Sequence, residues 1–510
     1  MFPAAETLMC NTDRVRRTWF AGRDTVRRSC GRPFSPQWWT LGFLALVGVF
    51  VGCIPGSTQG QTLTQALTET YNTNPQLLAQ RALLRATDEQ VPQALANWRP
   101  TVNFTGQLGG TRSAVTSAST GRARLNSEGV DIGSTGLSNY STFYSNSLNL
   151  QTNQQIYSGG RTVAQTSQAI NTVQSTRAQT LAVETTVFQA VATAYLDVVR
   201  DQALLEVNRN NVAVLRKQLE ATQDRFRVGE VTRTDVAQAE ASLAQAVGQL
   251  VTAQGNLETS RAEYVRAVGH SPGTLMLPRE RPTLPATVEE AASLAANNNF
   301  NVISANFSEL AARDNIDFVR GQLLPQISIV GTLNRALGPS VVQNNSLQQS
   351  GTIAAQMTMP LYEGGAIYSQ TRQAQQTVGQ RRSQVDDARR SAVQLATQSW
   401  SILQAARASI SSFASAVRAA QIALEGTQQE ALVGTRTVLD VLIQNQTLLT
   451  TQSQLVTAEH DAALAEFNVA AATGRLIAPE LKLPVKLYDM ERHYKEVRDK
   501  WIGFRGGLSE

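Results

Sequence analysis

The chain has 510 residues and a net charge of +5, with 42% hydrophobic and 17% charged residues. Residues 1–60 hold seven Arg against Glu6, Asp13 and Asp24, a net of +4, so the remainder carries only about +1 and gives no ground for a nucleic-acid partner. Cys10, Cys30 and Cys53 all lie in the same stretch, which excludes a disulfide framework or a cysteine metal site beyond it.

In chain order, the first 60 residues read as an export signal and leader. A basic segment precedes an apolar run from Leu41 to Cys53, too short to span a membrane comfortably, and small and polar residues follow. Within it "FVGC" resembles a lipoprotein cleavage box with Phe50 in place of Leu, which makes Cys53 a candidate for lipid attachment.

Residues 61–270 then predict a helix over about 63–98, strands over about 100–109 and 145–157, a long helix over about 161–225, a V-G turn, and a returning helix over about 232–268. The strand expectation rests on alternation: Val102, Phe104, Gly106 and Leu108 point one way, and Thr101, Asn103, Thr105 and Gln107 the other. A linker at 271–286 leads to residues 287–475, which run through the same order, and a tail occupies 476–510. Tyr157-Ser158-Gly159-Gly160 matches Tyr362-Glu363-Gly364-Gly365, Gly229 matches Gly434 and Asp235 matches Asp440, all 205 positions apart. Upstream the offset is 225, placing Pro100 over Pro325, and the difference is absorbed by a Gly-, Ser- and Thr-rich loop. Loops are predicted at 110–144 and 334–351.

A helix of about 65 residues extends roughly 100 Å, and the two shorter helices of each half, stacked end to end, make a second column of similar length. Such helices exceed any single globular core and must pack side by side. Leu205, Val212, Leu219 and Phe226 repeat every seven residues, as do Leu403, Ile410, Val417 and Leu424. That spacing fits either a solvated coiled-coil rod or the wall of a tube. Two strands per half give four per chain, too few to close a cylinder, and an open sheet edge is not tolerated in lipid. If the strands span a membrane, several copies must share one barrel; three copies give 12 strands and room for a passage.

The stretches "TLTQALTETYNTNPQLLAQRALLRATDEQVPQALANWRPTV", "QIYSGGR", "FRVGEVTRTDVAQAEASLAQA", "LYEGG" and "LVGTRTVLDVLIQNQTLL" resemble the TolC family of outer-membrane efflux and secretion channels, over about 62–495. The resemblance implies a mainly α protein with membrane β: a homotrimeric 12-stranded outer-membrane β-barrel continued by a 12-helix periplasmic α-barrel, girdled by short elements at 271–287 and 483–501. It implies a passive exit duct for type I protein secretion or tripartite drug efflux. The partners would be a periplasmic adaptor (membrane fusion) protein, an inner-membrane ABC or proton-driven transporter, and outer-membrane lipid. The type I secretion branch is suggested by the ending. By the same resemblance the V-G turns are hairpins at the periplasmic tip. Arg436 would bond Thr234 and Asp235 of a neighbouring helix pair to hold the tube shut, and Asp440 would give one carboxylate per chain to a ring. The sequence departs from the family pattern at Ala431, where a gate tyrosine is expected, and at Ile443, where a second aspartate is. Val228, Gly229, Thr232, Gly434 and Thr435 are the candidates for adaptor docking.

No phosphate-cradling G-x-x-x-x-G-K-[ST] loop and no nucleophile–base arrangement is visible, so neither an enzyme nor a cofactor is expected. His270, His460 and His493 are scattered and read as ordinary surface or girdle residues. The competing reading is a periplasmic coiled-coil structural or adaptor protein without a pore.

Overall fold

A computed structural model describes residues 61–116, 138–278, 281–338 and 346–504. The expected export leader over residues 1–60, Cys53 included, lies outside the described residues. The first third builds α1 (Leu63–Thr73), α2 (Pro75–Asp88), α3 (Gln90–Leu95), β1 (Thr101–Thr116) and β2 (Ser138–Tyr157). The long helix α4 (Arg161–Arg227) and the returning α5 (Arg233–Val268) follow. Next come α6 (Val288–Asn298), α7 (Phe300–Arg320), β3 (Gln326–Gly338), β4 (Ser346–Thr358), α8 (Ala366–Leu432), α9 (Val438–Ala472) and a short α10 (Arg492–Val497).

The single helix expected over 63–98 is instead three. Asn74 has an extended backbone, its Oδ1 accepts the Gln76 N–H at 2.9 Å, and Pro75 occupies the first helical position. A capping side chain followed by a residue with fixed φ and no N–H starts a new helix and cannot continue the old one. Asn299 does the same before α7, accepting from Asn301 at 3.0 Å. Both asparagines also reach across: Asn74 Nδ2 donates to the Ala267 carbonyl at 3.3 Å, and Asn299 Nδ2 to that of Ala472 at 3.1 Å. The upper helices are thereby tied to the ends of α5 and α9.

α4 and α8 each have 67 residues, and their ends fall 205 positions apart. At 1.5 Å per residue each extends about 100 Å. Both start directly after a Gly-Gly turn whose glycines have positive φ. At Gly159 (φ +65°) there is also no room for a side chain, because a Cβ would lie 2.4 Å from the Gly321 carbonyl oxygen. Along the seven-residue stripe Leu205, Val212, Leu403 and Leu424 are buried, while Phe226 at the end of α4 is exposed.

The strands run longer than alternation suggests, taking residues from both predicted loops. They form one antiparallel sheet in the order β1-β2-β3-β4, so β1 and β4 are its edges. In register, Phe104 pairs with Leu150, which pairs with Leu333, and Val102–Thr152–Gly331–Ile353 forms the adjacent row on that face. The other face carries Asn103–Gln151–Thr332–Thr352 and Thr105–Asn149–Asn334–Ser350. Serine, threonine and glycine extend the strands past the alternating core because ladder hydrogen bonds need no particular side chain. Apolar side chains on the Phe104 face stand exposed in one chain: Leu108 is 83% and Ile353 85% exposed.

The largest core lies near the middle of the helices. Phe188, Val191, Tyr195 and Leu196 of α4 pack with Leu67 and Tyr71 of α1, Tyr264 of α5 and Phe467 of α9. The Tyr195 hydroxyl donates to the Met276 carbonyl at 2.7 Å, fixing the linker on the core. Of the three histidines expected as surface or girdle residues, His460 is not at the surface. It is buried, with Nε2 2.9 Å from Asp197 Oδ1 across the α4–α9 contact and Nδ1 3.0 Å from Asp461 Oδ1. Facing carboxylates from two helices raise its pKa against the opposing effect of burial. His270 pairs with Glu69 at 2.5 Å, and His493 lies 3.6 Å from Glu89.

Candidate functional site

The end of the molecule remote from the sheet is formed by two helical hairpins, α4–α5 and α8–α9. Each turn is built in the same way. Gly229 (φ +82°) and Gly434 (φ +81°) end the long helices in the left-handed conformation. The Glu230 N–H closes onto the Arg225 carbonyl at 2.9 Å, and the Thr435 N–H onto that of Glu430 at 3.0 Å. This is the six-to-one closure that reverses a chain after a helix.

Each returning helix begins with a capping box. Thr232 Oγ1 accepts the Asp235 N–H at 3.3 Å, and Asp235 Oδ2 accepts the Thr232 N–H at 2.8 Å. Thr437 and Asp440 repeat this at 3.2 and 3.0 Å. Two backbone donors left over at each helix start are satisfied, and the carboxylate sits at the positive end of the helix dipole. The Thr437 N–H and hydroxyl hold the Asp440 carboxyl below the usual carboxylate range, helped by Arg436. Asp440 therefore stays ionised at neutral pH.

Charges decorate the two turns in opposite order. Arg225 at the end of α4 binds Glu230 in the turn at 3.0 Å. Glu430, the position corresponding to Arg225, binds Arg436 in the turn at 2.9 Å, and that bond raises the Arg436 pKa. Arg225 also reaches the Ala431 carbonyl at 3.5 Å, a hydrogen bond from one hairpin to the other. Below it Val212, Leu215, Ala246, Val438 and Leu442 form an apolar cluster between them, and the buried Asn445 and Asn211 amides meet at 2.7 Å.

The predicted site residues thus gather at one end, in two turns. Thr234 is exposed and its side chain makes no hydrogen bond among the described residues; the cap is Thr232, two positions earlier. Within one chain Arg436 is engaged with Glu430 and not with Thr234 or Asp235. Val228 and Val433 stand out at the tips, 72% and 76% exposed, with Gly229, Thr232, Gly434 and Thr435 also exposed. Ala431 is buried against Leu424 and Val441, and Ile443 is exposed. Sequence reasoning missed Arg225 and Glu430. The only signal for them was a charge reversal at matched positions, which spacing alone does not connect to a contact.

Residues 66–270 and 291–475 match the outer membrane efflux protein family. The chain belongs to this family. Its members, TolC among them, are outer-membrane channels, and the protein is placed in the outer membrane with its helices reaching into the periplasm. The outer membrane efflux protein BepC of Brucella suis is 34% identical over 87% of this chain and 92% of its own length. The outer membrane protein TolC of Escherichia coli is 27% identical over 57% of this chain and 62% of its own. The Campylobacter jejuni CmeC outer membrane channel shares the fold, with a TM-score of 0.69 at 15% identity over 87% of this chain and 90% of that one.

Proposed function

We propose that three copies close into one passive exit duct, a 12-stranded barrel continued by a 12-helix tube, and that this duct serves tripartite drug efflux or type I secretion. The observation that carries the reading is the pairing of two incomplete ends on one set of long helices. At one end a four-stranded sheet has two bare edges and an apolar outer face; at the other, two hairpins present matched tips. A sheet with open edges is stable in lipid only if further copies complete it. The internal match suggests how. The β2–β3 pairing inside one chain is the template for β4 pairing with β1 of the next.

The tips are then the docking surface for a periplasmic adaptor, using Val228, Gly229, Thr232, Gly434 and Thr435. Energy comes from the inner-membrane transporter, ABC or proton-driven, that the adaptor contacts. Three Asp440 carboxylates, ionised because Thr437 holds them so, form a ring that favours cations. Arg436 acts as the latch, with Glu430 of its own turn and Thr234 with Asp235 of the adjoining hairpin competing for it. Single-channel recording in planar bilayers tests this. Arg436→Ala is expected to raise conductance, and Asp440→Asn to reduce cation selectivity with little change in conductance. Unaltered conductance in Arg436→Ala would remove the latch, and a protein that forms no channels would remove the duct.

A further inference from the structure

Away from both ends, α1 and α2 meet the C-terminal tail around a cavity of about 320 Å³. Its walls carry four permanent cations, Arg81, Arg85, Lys486 and Arg492, against two carboxylates, Asp489 and Glu496. Both acids are already engaged. Glu496 takes the Arg492 Nε–H at 3.1 Å, and Asp489 Oδ1 accepts the Glu491 N–H at 2.9 Å. Arg85 and Lys486 have no carboxylate partner among the described residues.

Arg81 is the built part of the site. It is 91% buried, and its guanidinium lies between two rings, 4.4 Å from the centroid of Tyr71 and 5.1 Å from that of Tyr488. Nη2 donates to the Tyr71 carbonyl at 3.0 Å. The Tyr71 hydroxyl in turn accepts the Tyr488 N–H at 2.9 Å, so the same ring fixes both the arginine and the tail that closes the cavity. A stacked, hydrogen-bonded guanidinium has lost its freedom in advance, so an oxyanion that meets its remaining N–H groups finds them ordered. Glu184 lies near Arg81 and offsets part of its charge. With Arg492 paired to Glu496, Arg85 and Lys486 at the mouth face the single carboxylate of Asp489, and the cavity keeps a net positive charge.

We propose that this cavity binds a small multivalent oxyanion, a polycarboxylate or a phosphorylated compound, with Arg81 at its base and Arg85 and Lys486 at its rim. The volume is at the lower end of small-molecule sites, which suits a compact anion and not a folded partner. Nothing at the tips or in the sheet contributes, so the site stands or falls apart from the duct.

The test is titration calorimetry of the purified full-length protein in detergent, with citrate and pyrophosphate as separate probes. Saturable binding of either, one per chain, is expected. Citrate alone identifies the carboxylate class and pyrophosphate alone the phosphate class; both together mean that charge dominates. Arg85→Gln and Lys486→Gln should each weaken binding about tenfold, since each removes a charge-assisted contact. Arg209→Gln, a surface arginine on α4, should leave it unchanged. Arg81→Lys should abolish binding if the planar fork is needed; if that variant fails to fold, the rim variants decide. No saturable heat from either probe up to about 1 mM, or equal weakening by Arg209→Gln, would overturn the site.

Discussion

In the proposed trimer, the register between copies follows from the register inside one. β2 and β3 pair Leu150 with Leu333 and Gln151 with Thr332. Adding 205 to the β2 numbers and subtracting 225 from the β3 numbers maps these onto Ala355 with Leu108, and Gln356 with Gln107, of β4 and of β1 in a second chain. Directly opposed residues of an antiparallel pair have Cα atoms about 4.5 or 5.5 Å apart, alternating along the ladder. Both spacings fall inside the roughly 4.4–6.8 Å that a disulfide spans. The double variants Leu108→Cys/Ala355→Cys and Gln107→Cys/Gln356→Cys should therefore each oxidise to a covalent trimer on non-reducing gels. A slip of two residues moves the partner by about 6.8 Å along the strand and opens the separation to about 8 Å, beyond bridging. The mismatched pair Gln107→Cys/Ala355→Cys places its side chains on opposite faces and should stay monomeric on the gel. Every native cysteine lies at or before position 53, so no other thiol of the sheet competes. Cross-linking of the mismatched pair alone, or of none, would refute the transfer of register from one half to the other.

Other outcomes follow from individual residues. Asp88 is buried, neither carboxylate oxygen has a hydrogen-bond partner among the described residues, and burial pushes its pKa up to about 6. The folded chain thus holds a proton between about pH 4 and pH 6 that the unfolded chain has released, so stability falls as pH rises through that window. Asp88→Asn should flatten this dependence and stabilise the protein at pH 7.5 by about 1–3 kcal/mol, read as a higher melting temperature by differential scanning fluorimetry. A steeper pH dependence in the variant would contradict the assignment. Gly159→Ala meets both positive φ and the Gly321 carbonyl and should cost about 2–4 kcal/mol. Gly229→Ala, with the same backbone but open space around it, should cost about 1 kcal/mol. Equal melting temperatures for the two would show that the close approach is dispensable. Thr437→Ala removes a capping box and should lower stability by about 1 kcal/mol, with faster amide exchange confined to the first turn of α9.

Legibility in the sequence followed the range of the interaction. The hairpin turns were visible because a glycine, a threonine and an aspartate at fixed spacing suffice to reverse and restart a helix. The strands were visible where apolar and polar residues alternate and lost where Thr111, Ser113 and Ser141 continue the ladder without alternating. The break at Asn74-Pro75 was written plainly as a cap followed by proline, yet the apolar periodicity on both sides masked it. Contacts that join distant positions left no trace: His460 meets Asp197 from another helix, and Arg81 is held by a tail some 400 residues away. Nothing in local pattern predicts which helix faces which, and those pairings decide whether a polar side chain is solvated or enclosed.

The mirrored ion pairs at the hairpin ends carry a last implication. In a ring of three chains, six fingertips share one backbone shape, yet their acid and base trade places from each to the next. A partner reading shape alone would count six equal seats, while one reading charge would count three of each kind. A companion ring of six identical proteins would then have to sit in two alternating ways.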